Sequence, residues 1–243
     1  MTSPFLGEFL GTLVLVLLGD GAVANVLLKK SKGEGSGWIV ITTGWCFAVM
    51  AGVFTAVACG SKDGYINPAV TLGFAVASGG YSKLAPYFVA QILGAFAGAV
   101  LVWLFYLPHW RETTDPSLKL GVFCTSPAIR KTLSNLTCEI IATFLLVFLG
   151  AALASKAVAS SSGLVGGLGG YLAGAIVWAI GLSLGGTTGY AINPARDLGP
   201  RTAHAILPIA GKGSSDWRYS PIPVFGPLIG GGLAGVLIRY LGI

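Results

Sequence analysis

Charged residues are scarce in this sequence. Only 10% of its 243 residues are Asp, Glu, Lys or Arg, whereas about a quarter are charged in a typical soluble domain. Hydrophobic residues make up 54% of the chain. Several of the apolar stretches approach the roughly 20 residues that a helix needs to cross a bilayer. The shortage of charge therefore argues against a soluble domain and favours an all-α membrane protein.

Residues that bind metals or form disulfides are also few. The chain has 2 His and 4 Cys, and no Cys-x-x-Cys pair occurs. We therefore expect no metal site and no disulfide framework. The net charge of +6 is spread over loops and segment ends, without the basic run that nucleic-acid binding would favour. The first apolar run lacks a preceding basic stretch, so we interpret it as a span rather than a signal peptide.

The apolar segments predict six transmembrane helices. They cover residues 5–28, 38–59, 84–107, 133–154, 170–188 and 223–241. The polar residues 108–133 form a long connection, so we treat 1–243 as a single domain with halves 1–107 and 134–243. Glycines at four-residue spacing predict close helix contacts in the third and sixth spans, namely Gly94, Gly98, Gly231 and Gly235.

Two copies of Asn-Pro-Ala interrupt the apolar pattern. They are Asn67-Pro68-Ala69 and Asn193-Pro194-Ala195. Asn is a good N-cap and Pro suits the first position of a helix, so each copy predicts a helix start. The apolar runs that follow, 69–77 and 195–206, are too short to cross a bilayer. We therefore expect two half-helices, which membranes tolerate only where they line a cavity.

The two halves repeat one another. Each runs span, span, half-helix, span, and each first span carries one acid, Glu8 or Glu139. Since three spans is an odd number, the second half enters the bilayer from the opposite side, and the half-helices meet near the midplane. We take Glu8 and Glu139 as the only carboxylates within spans. Buried carboxylates of this kind can relay protons or brace irregular backbone, and the residues alone leave both roles open.

These features together resemble the aquaporin (major intrinsic protein) family. The resemblance rests on the two Asn-Pro-Ala copies, the paired glutamates and the run from Asn193 to Asp197, and it extends over essentially the whole chain. It implies six transmembrane helices plus two re-entrant half-helices in an inverted repeat. It also implies a passive channel, not an enzyme, that uses no cofactor and assembles as a homotetramer in the lipid bilayer. By the same resemblance, Glu8 and Glu139 would brace the irregular backbone before the half-helices.

The half-helices would point two positive dipole ends at one place in the pore. Asn67 and Asn193 would donate hydrogen bonds to a neutral hydroxyl, whereas a cation would meet partial positive charge. The resemblance further implies a narrow selectivity filter formed by Trp45, Gly181, Tyr190 and Arg196. Backbone carbonyls would accept hydroxyl protons at Gly64, Tyr65, Ile66, Gly189, Tyr190 and Ala191.

The filter indicates glycerol rather than water as the main permeant. By resemblance, a water-selective filter usually has His where this chain has Gly181. Trp45 and Tyr190 would face the carbon edge of a polyol, and Arg196 would donate to its hydroxyls. Five further positions agree with the glycerol branch of the family, namely Tyr106, Asp197, Arg201, Pro223 and Val224. Asp197 and Arg201 are four apart, so they can pair on one helix face.

Two other functions remain as alternatives. A water-selective channel is the nearer one, and a secondary transporter with a coupling-ion site is the more distant. The resemblance places the protein in the plasma (inner) membrane with both termini in the cytoplasm. Loop charges point the other way, because this orientation leaves more Lys and Arg outside than inside. The inside set is Lys62, Lys83, Lys156 and Arg239, and the outside set is Lys29, Lys30, Lys32, Lys119, Arg130 and Lys131.

Overall fold

The computed structural model of the protein describes residues 2–162 and 165–243. All regular secondary structure in these residues is helical. In chain order the helices are α1 (Pro4–Leu27), α2 (Trp38–Ala58), α3 (Pro68–Ser78), α4 (Leu84–Phe105), α5 (His109–Glu112), α6 (Pro116–Phe123), α7 (Thr132–Ala154), α8 (Lys156–Ser162), α9 (Val165–Leu184), α10 (Pro194–Ile206) and α11 (Pro221–Leu241).

Six of the helices in the described ranges have 20 to 24 residues, namely α1, α2, α4, α7, α9 and α11. Five of these are long and apolar enough to cross a membrane, and Leu168–Leu184 of α9 adds a shorter apolar segment. With the half-helices α3 and α10, they confirm the predicted aquaporin-like fold class. The largest shift in boundary is at α9, which begins and ends earlier than predicted. It ends at Leu184 because residues 185–188 form a turn that contains two glycines.

The polar connection between the halves contains two short helices that the sequence analysis did not predict. Helix α6 begins in a regular way, since Pro116 occupies its first position and the Asp115 side chain accepts from the N–H of Ser117 at 2.8 Å. Its residues pack against both α1 and α10. The connection therefore lies against the second half-helix and helps to position it.

The half-helices interlock the two halves of the chain. Helix α3 belongs to the first half but packs mainly against α11 of the second, while α10 packs against α4 of the first. Helices α1 and α4 pair in the first half as α7 and α11 pair in the second. Each half-helix is thus held by the last long helix of the opposite half, and their N-termini meet near the centre.

Glycines allow these helices to approach one another closely. A Cβ atom at Gly94 would lie 2.2 Å from the carbonyl oxygen of Phe9, and one at Gly235 would lie 2.3 Å from that of Gly73. Gly98 and Gly231 make similar contacts with backbone oxygens of the facing helix. The prediction that these four glycines lie at close helix contacts is confirmed. Backbone atoms cannot rotate away, so a side chain would force the helices apart.

The glycine contacts predict a sharp difference between two neighbouring substitutions in α11. Gly235→Ala should destabilise the protein by about 1–3 kcal/mol, the usual effect of overpacking a tight contact. Gly232→Ala is the matched control, because a Cβ there meets nothing within 4 Å. The measurement is thermal unfolding in detergent. The amount of folded protein that remains after heating to each temperature is measured by its elution from a size-exclusion column. Equal melting temperatures for the two variants would contradict the packing argument.

Candidate functional site

Asn67 and Asn193 join the two half-helices at the centre of the protein. Each Oδ1 accepts from the N–H two residues further along its own half-helix, at 2.8 Å for Asn67 and 3.0 Å for Asn193. Each Nδ2 donates across to the other loop, from Asn67 to the oxygen of Ile192 at 2.8 Å and from Asn193 to that of Ile66 at 2.9 Å. An amide NH₂ has two protons, so one on each Asn remains for another acceptor.

The backbone before each half-helix has an unusual conformation. Three residues other than glycine have positive φ, with values of 45° at Ile66, 38° at Tyr190 and 44° at Ile192. Gly64 and Gly189 also have positive φ. Positive φ is a genuine outlier for β-branched residues, and each such position costs about 1–3 kcal/mol unless the surroundings impose it. The two loops therefore require strong external hydrogen bonds.

Glu139 provides such bonds to the second loop. Its Oε1 accepts from the hydroxyl of Thr188 at 2.6 Å and from the N–H of Ala191 at 3.0 Å. Its Oε2 accepts from the N–H of Ile192 at 2.9 Å. Glu139 is only 1% exposed, so no water could accept these hydrogen bonds in place of the carboxylate. This geometry supports the interpretation of Glu139 as a brace.

Glu8 occupies the corresponding place in the first loop. Its two oxygens accept from the N–H groups of Tyr65 and Ile66 at 3.0 and 2.7 Å. The hydroxyl of Ser61 donates to it at 2.5 Å and the amide of Gln91 at 2.8 Å. With four donors, this fully buried carboxylate has no free position from which to pass a proton along a chain.

A cavity of about 770 Å³ runs beside the two loops. Its lining includes two charged residues of the first loop, Lys62 and Asp63, and both Asn67 and Asn193. Of the residues that the sequence analysis assigned to the pore, the following line it: Trp45, Gly64, Tyr65, Ile66, Asn67, Tyr190, Ala191, Asn193 and Arg196. Gly181 and Gly189 are not part of its lining.

Arg196 lies at the cavity with its guanidinium group partly committed to the protein. Its Cζ lies 4.2 Å from the centre of the Trp45 ring, a cation–π contact. Its Nη1 lies 3.5 Å from both the carbonyl oxygen of Phe123 and Oδ1 of Asp20. Nε and Nη2 make no hydrogen bond within residues 2–162 and 165–243, which leaves their three N–H donors for a molecule in the cavity.

Tyr190 fills the space beside Gly181. A Cβ at position 181 would lie 2.8 Å from Cζ of the Tyr190 ring. The indole of Trp38 packs edge-on against the same ring, with centroids 5.8 Å apart, and donates to the oxygen of Gly181 at 3.0 Å. Gly181 thus shapes the cavity indirectly, because its missing side chain is what allows the Tyr190 ring to occupy this position.

Asp197 and Arg201 form a fully buried ion pair next to the cavity. Nε and Nη2 of Arg201 donate to the two carboxylate oxygens at 2.7 and 2.9 Å. Thr125 donates to Asp197 through its N–H and its hydroxyl, at 2.9 and 2.8 Å. Arg201 also donates to the carbonyl oxygens of residues 215 and 216. The pair therefore ties the loops around residues 125 and 215–216 to α10.

The other three positions of the glycerol-branch set lie away from the cavity lining. The hydroxyl of Tyr106 donates to the carbonyl oxygen of Gly21 at 3.2 Å. Pro223 is buried and Val224 half-buried in the first turn of α11. Their contacts position helices and make no direct approach to a permeant.

Lys212 caps the C-terminal end of α10. Its ammonium group donates to the carbonyl oxygens of His204, Ala205 and Leu207, each at 2.7 Å. A cation at a helix C-terminus is favoured by the helix dipole. Burial lowers the pKa of the Lys212 ammonium group.

The sequence analysis missed one carboxylate within a span. It counted only Glu8 and Glu139, but Asp20 is fully buried in α1 and lies beside Arg196. The missed signal was an acid flanked by Gly19 and Gly21 inside a long apolar run. A carboxylate at membrane depth is costly and commonly marks a functional partner.

Comparisons with known proteins identify relatives along the whole chain. The sequence matches the family described as Major intrinsic protein over residues 1–238. It is 56% identical to a probable glycerol uptake facilitator protein of Thermotoga maritima, over 98% of this chain and 99% of the relative. It is 52% identical to glycerol uptake facilitator protein 3 of Lactiplantibacillus plantarum, over 99% of this chain and 98% of the relative.

The fold also matches that of a solved structure over almost the whole chain. The X-ray structure of the aquaglyceroporin from Plasmodium falciparum is 28% identical in sequence and aligns with a TM-score of 0.82. The alignment covers 97% of this chain and 94% of that one. The likeness therefore includes both half-helices and the loops before them.

The brace geometry predicts a graded response at position 139. Glu139→Leu removes the acceptors of three donors, and each buried donor left unpaired costs about 1–3 kcal/mol. Glu139→Gln keeps one acceptor oxygen and should lose less stability. Thermal unfolding in detergent measures the melting temperatures. The wild type should have the highest, Glu139→Gln a lower one and Glu139→Leu the lowest. Equal stability of the Gln and Leu variants would contradict a bracing role.

Proposed function

The chain belongs to the major intrinsic protein family, and we propose that it is a passive membrane channel for glycerol and other small neutral solutes, with some water. Two of its relatives carry the name glycerol uptake facilitator, and the matched structure is an aquaglyceroporin. The transport is diffusion down a gradient. No covalent step or cofactor takes part, and the protein is not an enzyme.

One observation of the structure carries this proposal. The cavity is lined by the aromatic rings of Trp45 and Tyr190 and by the guanidinium group of Arg196, which contacts the Trp45 ring. A polyol has carbon atoms along one edge and hydroxyls along the other. The rings suit the carbon edge, while the free Nε and Nη2 donors of Arg196 suit two neighbouring hydroxyls. Water uses the same donors but gains nothing from the rings.

The Asn pair supports the selection of neutral molecules. Asn67 and Asn193 each keep one N–H that is not used in the cross-linking bonds, and they cap the positive ends of α3 and α10. A passing hydroxyl accepts these N–H bonds. A cation is repelled by the dipole ends, and the same field opposes proton relay along a file of water molecules.

The remaining pore residues have supporting roles in this proposal. Carbonyl groups of the two loops accept the hydroxyl protons of the permeant at Gly64, Tyr65, Ile66, Tyr190 and Ala191. Gly189, also predicted for this role, lies outside the cavity lining. Gly181 makes room for the Tyr190 ring, and the buried pair of Asp197 and Arg201 fixes α10, the half-helix that carries Arg196. The buried acids Glu8 and Glu139 brace the backbone.

We propose a single channel domain over residues 1–243 that assembles as a homotetramer, with one pore in each subunit. We place it in the plasma (inner) membrane with both termini in the cytoplasm. The excess of outer Lys and Arg argues against this orientation, but three of those residues have acidic partners. Lys29 pairs with Glu34, Lys30 with Glu112, and Arg130 with Asp216.

A passive channel predicts glycerol flux without any ion gradient. In reconstituted vesicles, glycerol uptake should persist when proton and sodium gradients are absent, and should not saturate at low millimolar glycerol. A channel has no slow conformational cycle to saturate. Light scattering in a stopped-flow instrument measures both properties. Loss of flux on removal of the ion gradients would support a secondary transporter instead.

The filter predicts that position 181 controls the ratio of glycerol to water permeability. In Gly181→His the side chain must displace the Tyr190 ring, since even a Cβ lies 2.8 Å from it. The ratio of glycerol to water permeability should fall by about tenfold or more. A tenfold change corresponds to a loss of roughly 1.4 kcal/mol of favourable contact with glycerol. Tyr190→Ala should act in the opposite direction and admit larger polyols.

Gly186→His is the matched control for this experiment, because a Cβ at Gly186 meets nothing within 4 Å. Its permeability ratio should equal that of the wild type in matched vesicles. An unchanged ratio in Gly181→His, with normal elution of the oligomer, would show that position 181 does not shape the constriction. A high water permeability with negligible glycerol flux in the wild type would favour the water-selective alternative.

A further inference from the structure

Asp20 is an acidic side chain that the proposed mechanism does not yet use. It lies in α1 between two glycines and is fully buried. Its Oδ2 has no hydrogen-bond partner within the part of the chain that the structure describes. A buried carboxylate with an unsatisfied oxygen is costly, so its presence calls for a charged partner.

The nearest cation to Asp20 is the guanidinium group at the cavity. Oδ1 of Asp20 and Nη1 of Arg196 are 3.5 Å apart, and both side chains are buried. Asp197 is the other acid near this pair, but its two oxygens are occupied by Arg201 and Thr125. Among the described residues, Asp20 is therefore the carboxylate that is free to balance the charge of Arg196.

Arg196 and Asp20 follow one another outward from the cavity. Arg196 lines the cavity, whereas Asp20 does not, so the guanidinium group lies between the carboxylate and the cavity. Nη1 is directed to Asp20 and to the oxygen of Phe123, and the face of the group rests on Trp45. This arrangement leaves Nε and Nη2 as the donors for a permeant.

We propose that Asp20 is a specificity-determining positioning residue, which orients Arg196 and balances its charge so that the filter selects neutral solutes over ions of either sign. The proposal rests on the channel function proposed above. Without Asp20, the filter would carry an uncompensated positive charge next to two positive dipole ends and would attract anions. Without Arg196, the carboxylate would face the cavity and attract cations.

Substitution of each partner should therefore produce ion currents of opposite selectivity. We expect no current through the wild type in planar bilayers with a potassium nitrate gradient. Asp20→Asn keeps the size of the side chain and should give a nitrate-selective current. Arg196→Val should give a potassium-selective current. The double variant Asp20→Asn/Arg196→Val should carry no such current. The sign of the reversal potential identifies the permeating ion.

Glycerol flux provides a second measure of Arg196 orientation. In Asp20→Asn, glycerol permeability should fall by about tenfold, as expected when one charge-assisted contact is weakened by roughly 1.4 kcal/mol. Asp115→Asn is the matched control, because it makes the same substitution at an exposed helix cap that an Asn can also occupy. That variant should retain the wild-type glycerol flux and carry no current.

Two results would overturn the proposal. One is an Asp20→Asn variant that elutes as the wild-type oligomer but has unchanged glycerol flux and no nitrate current. The other is a potassium current in Arg196→Val that survives in the double variant. If Asp20→Asn does not elute normally, the test is the potassium current of Arg196→Val. The absence of that current would also overturn the proposal. Wild-type glycerol flux tests the channel function separately from all of these currents.

Discussion

The structure depends on satisfying backbone N–H and C=O groups at membrane depth. Irregular backbone is tolerated there only where protein groups replace the hydrogen bonds that a helix would provide. The two loops before α3 and α10 contain positive-φ residues and expose several such groups. Glu8 and Glu139 accept the N–H groups on one side, so the carbonyl oxygens are directed elsewhere. The two carboxylates therefore hold the loop backbone that lines part of the cavity.

The loops are also held by each other. Asn67 and Asn193 cross-link them through the carbonyl oxygens of Ile192 and Ile66. Since α3 packs against α11 and α10 against α4, neither half of the chain can form its part of the centre alone. The glycines at these contacts are part of the same constraint, because the half-helices reach the centre only if the long helices come close.

The cavity wall is specified by residues behind it as much as by those that line it. Tyr190 takes its position because Gly181 has no side chain, and Arg196 takes its position from Trp45, Phe123 and Asp20. The pair of Asp197 and Arg201 anchors the loops around residues 125 and 215–216 to α10. A small change in any of these supporting groups would therefore alter the rings and donors that the cavity presents.

The sequence alone determined the elements that depend on local chemistry. Apolar length predicted the long helices, and each Asn-Pro-Ala predicted a helix start, because capping and the fixed φ of Pro act within a few residues. The resemblance to a family supplied the candidate filter. The tertiary structure alone decided which groups meet over long separations, such as Glu139 with Ile192 or Asp20 with Arg196. No local pattern encodes these contacts, since they arise only when the two halves interlock and bring residues from distant helices to the same depth.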